Sequence, residues 1–142
     1  MLTRRILIQV KKLKDLQYGY TNNTELCIRK KKKMKFNTTN IGGDIVKANG
    51  VYTLRDNKAL NNLVLSQTIL HVSQNTNGHY HAGQEEVYFF MYGTGRMQVG
   101  DNEYEVQGGD IVLIPDGLFH KVWNTGESDL VFNCVFDGKR NH

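Results

Sequence analysis

Beyond residue 40 this chain is cut into short apolar runs by glycine, asparagine and aspartate. Thirteen of its fourteen glycines and its single proline lie there. The runs between them are rich in β-branched and aromatic residues: LVLSQTILHV at 63–72, EVYFFMY at 86–92, DIVLIP at 110–115, HKVWN at 120–124 and DLVFNCVF at 129–136. RMQVG and NEYEVQ flank Gly100–Asn102, which reads as a hairpin turn. Such runs suit a pleated surface, and the polar punctuation supplies the turns. NKALNNLVL, with two Asn and no cap, makes a poor helix. Many short strands at close spacing specify an all-β sandwich or barrel. DIVLIP, almost wholly apolar, is expected to be covered on both faces.

The first 35 residues differ. They hold eleven Lys/Arg against two acids, whereas residues 36–142 hold seven against twelve. The net charge of +4 is therefore a basic tail on a mildly acidic body. RKKKKMK at 29–35 repels itself, and RRILIQVKKLKDL is a basic amphipathic pattern. Residues 1–35 are expected to be a mobile basic extension and 36–142 the folded domain. Any contact with nucleic acid would rest on the tail, and no helix-turn-helix pattern supports it. No run of about 18 apolar residues marks a membrane span, and no apolar core marks a secretory signal. Cys27 and Cys134 fit no metal or redox spacing and read as free thiols of a reducing, cytoplasmic compartment.

Against this apolar background stands NGHYHAGQEEVYFF, residues 77–90. If His79-Tyr80-His81 is extended, both imidazoles leave one face about 6.6 Å apart and can meet one ion at about 2.1 Å. Period-2 alternation puts Glu86, Tyr88 and Phe90 on one face, and His120, Val122 and Asn124 on one face downstream. A barrel interior would bring these faces together. Buried imidazoles and a carboxylate are costly unless an ion compensates them.

The same residues carry a resemblance. G(x)5HxH(x)4E(x)6G is met by His79, His81, Glu86 and Gly93, with Ser73 in place of the leading glycine. G(x)5PxG(x)2H(x)3N is met at every fixed position by Gly109, Pro115, Gly117, His120 and Asn124. These two motifs resemble those of the cupin superfamily, over roughly residues 45–137. The resemblance implies a small jelly-roll β-barrel or sandwich, commonly a homodimer. It implies His79, His81, Glu86 and His120 as ligands of one divalent transition metal. That donor set suits Fe, Mn, Ni, Co or Zn and leaves positions open for a substrate. Glu85 is the competing carboxylate, but only Glu86 gives the E(x)6G register with Gly93. Asn124 is expected to brace a turn, His71 to be structural or at the surface, and Tyr80 and Trp123 to point away from the ligands.

Among relatives, GHYH, EEVYFF and GTGRM are similar to cupin-type sugar-phosphate isomerases. That similarity implies a small carbohydrate-type substrate, a proton carried by Glu86 or Glu85, and Tyr88 orienting the sugar. Arg96 is the one basic side chain in the motif region plausibly near a phosphate. A metal-dependent dioxygenase and a non-catalytic small-molecule sensor are the alternatives.

Overall fold

The computed structural model describes residues 33–138. The tail and its nucleic-acid reading lie outside them, apart from residues 33–35, and so do Cys27 and His142. The described residues form nine strands and no helix: β1 (Asp44–Ala48), β2 (Tyr52–Asn57), β3 (Leu63–Leu70), β4 (Glu86–Tyr92), β5 (Thr94–Val99), β6 (Asn102–Gln107), β7 (Ile111–Ile114), β8 (His120–Asn124) and β9 (Leu130–Asp137). Among the described residues no helix is long and apolar enough to cross a membrane.

Two antiparallel sheets result, one ordered β1-β2-β3-β9-β4-β7 and one ordered β6-β5-β8. The core lies between them. Leu70, Tyr88, Phe90, Phe132 and Phe136 come from the larger sheet, and Met97, Val99, Val106 and Val122 from the smaller. Alternation along β4, β5, β8 and β9 produces this core, since inward residues are buried at every second position of β4 and β8. Tyr88 stacks on Phe132 at 5.1 Å between ring centroids, with Phe90 5.4 Å from the same Phe132 ring. Across the opposite face of the larger sheet, the Thr38 carbonyl accepts hydrogen bonds from Gln67 and Asn133 at 3.0 and 3.1 Å.

DIVLIP departs from expectation. Ile111 and Leu113 are 59% and 68% exposed, and β7 pairs only with β4. An apolar run was read as a strand covered twice; it is an edge strand with its outward side chains open. The Gly100 turn is as expected, joining β5 to β6 through the Val99–Asn102 pair. β1 and β2 were not singled out by sequence. Every residue of β1 is exposed, so it shows no inward–outward alternation.

Ser73 is the only non-glycine with positive φ among the described residues, at 61°. It occupies the position where the first motif has glycine, which adopts that conformation without a Cβ penalty. Ser73→Gly should therefore stabilise the protein by about 0.5–1 kcal/mol, the relieved strain exceeding the added freedom of the unfolded chain. Urea denaturation at unchanged m-value checks it.

Candidate metal centre

The first motif does not continue β4 backwards as a regular strand. His79 instead makes an isolated bridge to His120: His79 N–H donates to the His120 carbonyl at 3.1 Å, and His120 N–H to the His79 carbonyl at 2.9 Å. The short extended pairing keeps His79 and His81 on one side with Tyr80 turned outward between them, as the HxH spacing predicts, although no regular strand runs through the three. A reciprocal pair sets the two residues directly opposite each other. Their rings lie 4.4 Å apart, and His81 follows at 4.5 Å from His79, with Tyr80 exposed between them. One ligand atom from each of His79, His81 and His120 falls within 4.8 Å of the others. Gly117 N–H donates to the His81 carbonyl at 2.8 Å, and Asp116 accepts from the amides of Gly83 and Gln84. The two motifs are thus fastened together by backbone pairs and by the Asp116 side chain.

Glu86 opens β4 on the buried parity and reaches two of the three imidazoles. Its Oε1 is 3.5 Å from His81 Nε2, and its Oε2 is 3.4 Å from His120 Nε2. Burial pushes the Glu86 carboxyl up, but His120, His81 and a hydrogen bond from Cys134 outweigh it and hold the acid below its usual range. Glu85 is exposed and is not brought to the histidines; the parity of β4 separates the two.

The donor set fits a metal. His120 Nδ1 stands 3.0 Å from the Leu118 carbonyl, which can only accept, so Nδ1 carries the proton. In the neutral ring the Nε2 lone pair then faces a carboxylate 3.4 Å away. Two acceptors meet favourably only with a cation between them, either a second ring proton or an ion. Two donors each about 2.1 Å from one ion stand about 3.0–3.4 Å apart, close to the 3.5 and 3.4 Å that separate Glu86 from His81 and His120.

Other expected residues resolve as follows. Tyr88 shares Glu86's buried face, its ring 5.9 Å from that of His120. His71 pairs with Asp129 at 3.3 Å. Arg96 is not near the site. Its guanidinium lies over Trp123 at 4.5 Å and pairs with Glu103 at 3.2 Å, on the outward parity of β5. Lys121 also lies over Trp123, at 4.9 Å, away from His120's face. Asn124 braces a turn: its amide donates to the Leu70 and Ser128 carbonyls at 2.9 Å each, and its oxygen accepts from Gly126 N–H. Asn124→Ala should cost about 1–3 kcal/mol by stranding the buried Leu70 carbonyl and the half-buried Ser128 carbonyl, while leaving metal affinity unchanged. Thermal unfolding of metal-free protein, with a metal titration beside it, checks both halves.

Sequence reasoning missed Cys134 as a neighbour of the site. Its Sγ is 3.6 Å from Glu86 Oε2. The inward parity of Leu130, Phe132, Cys134 and Phe136 in β9 was a usable signal, but nothing local says that β9 lies beside β4.

Residues 68–136 match the family described as the cupin domain. The chain is 32% identical to an oxalate-binding protein of Thermotoga maritima, over 40% of this chain and 47% of that one. It is 29% identical to a glucose-6-phosphate isomerase of Thermococcus litoralis, over 65% of this chain and 55% of that one. The chain spans about half the length of the curated relatives it matches. Among solved structures, KdgF from a Halomonas species superposes with a TM-score of 0.62 at 13% identity, over 69% of this chain and 88% of that one, a likeness of fold.

Proposed function

Because residues 68–136 of this chain are a cupin domain, we propose that its barrel holds one divalent transition metal on His79, His81, Glu86 and His120 and acts on a small carbohydrate-type substrate. The observation that carries the metal is the convergence of His79, His81 and His120 within 4.8 Å, with Glu86 3.4–3.5 Å from His120 and His81. Fe, Mn, Ni, Co and Zn all suit such donors. When bound, the ion would polarise substrate oxygens. The chain's own residues supply the rest. Glu86, the buried carboxylate of the site, is the residue to carry a proton, and Tyr88 on the same face is the residue to orient a substrate.

The carbohydrate reading is supported by two relatives named for small oxygen-rich molecules, oxalate and glucose 6-phosphate. The charges favour an unphosphorylated substrate. Among the described residues no Lys or Arg is buried, and Arg55, Lys58, Arg96 and Lys121 engage a carbonyl, an acid or Trp123 elsewhere. A phosphate ester is held by cationic or N–H donors, and the cationic kind is what the described residues do not bring to the site.

Metal analysis of purified protein, then a screen of free and phosphorylated sugars alongside oxygen uptake, tests the reading. Bound metal with interconversion of an unphosphorylated sugar is the expected result. Oxygen consumption with a redox metal would make it a dioxygenase instead. Tight ligand binding without turnover would make it a sensor, and protein that takes up no metal would end the proposal.

A further inference from the structure

We infer that Cys134 is a positioning residue for Glu86, its thiol fixing which carboxylate oxygen faces which imidazole. The inference rests on the reading of this site as a metal centre. Glu86 pairs across the sheet with Phe136, and Tyr88 with Cys134, so Cys134 is Glu86's diagonal neighbour on the inward face. Both side chains are 7% exposed. Sγ stands 3.6 Å from Oε2, within the longer reach of a sulfur donor. An ionised carboxylate only accepts, so the proton of this bond belongs to the thiol. With Oε2 held on the Cys134 and His120 side, Oε1 is left to His81, 3.5 Å away. Without a donor at position 134 the carboxylate is free to rotate off this bridging orientation. Groups that orient a ligand in this way are typically worth about 10–100-fold in metal affinity.

The experiment compares the parent with Cys134→Val and Cys134→Ser, each titrated with Co(II) and with Zn(II) against a chelator. Circular dichroism and melting of the metal-free forms serve as folding controls. Valine fills the volume but donates nothing; serine donates but fills less. Cys134→Val should bind at least about tenfold more weakly, with the cobalt d–d bands displaced, and Cys134→Ser should recover most of that loss. The inference is overturned if Cys134→Val binds as the parent does, or if Ser and Val are weakened alike. It is also overturned if the parent shows a sulfur-to-cobalt charge-transfer band that Cys134→Ser abolishes, because the sulfur is then itself a ligand. A parent that binds neither ion overturns the metal centre along with it; a parent that binds normally beside an unimpaired Cys134→Val removes Cys134 alone.

Discussion

His120→Ala and His79→Ala should each lower metal affinity by at least about a hundredfold, more than the loss expected for an orienting neighbour. The fold should survive. Removing the His120 ring leaves a small cavity but also releases a buried polar group that must otherwise face Glu86, and these oppose each other. The metal-free variants should therefore melt near the metal-free parent, and only the parent should gain stability on adding metal. Protons compete for the same nitrogens. Each imidazole must be neutral to bind, so occupancy in the parent should be high at neutral pH and fall below about pH 6, more steeply than one proton allows. Equilibrium dialysis across pH, with melting curves for all three proteins, measures this. Variants that keep a full complement of tightly held metal would mean that these histidines are not its ligands.

The second large effect concerns Gly93, the turn between β4 and β5 where the chain crosses from one sheet to the other. Its φ is +87°, and a Cβ there would stand 2.5 Å from the Asp129 carbonyl oxygen and 3.0 Å from the Leu130 Cα. Both are backbone atoms at the start of β9 and cannot swing aside. Gly93→Ala should cost about 2–4 kcal/mol, combining left-handed strain with overpacking. Gly117→Ala is the matched control. Its φ of +75° is similarly unfavourable, but nothing lies within 4 Å of the added carbon. It should cost only the strain, about 1–2 kcal/mol. If the two variants unfold at the same urea concentration, steric contact with β9 contributes nothing at position 93.

Much of this architecture was legible in the residues. β4, β8 and β9 follow from alternation, and the motif spacing singles out His79, His81, Glu86 and His120. The parity of EEVYFF also separates Glu86 from Glu85, because successive side chains leave opposite faces. What stayed hidden was neighbourhood across long sequence separations. Cys134 lies 48 residues from Glu86, and their meeting depends on β9 inserting between β3 and β4. The openness of Ile111 and Leu113 depends on β7 taking an edge, which a run of apolar letters does not encode. For Arg96 the sequence left a phosphate contact and a solvated hairpin charge both open, and its partners Trp123 and Glu103 are what decide it. The alternation of His79-Tyr80-His81 was legible, but the bridge that sets His79 opposite His120 was not, because a single reciprocal pair has no period.

Trp123 gives the domain an optical reporter. It is the chain's single tryptophan, it sits on β8 between His120 and Asn124, and both Arg96 and Lys121 lie over its indole. With Arg96 paired to Glu103, the surplus positive charge at the fluorophore comes from Lys121, so iodide should quench the native emission more effectively than caesium, and added inert salt should shrink that difference. Unfolding of β8 removes the cationic pair from the ring, so the ratio of the two quenching constants follows the small sheet without any label being attached.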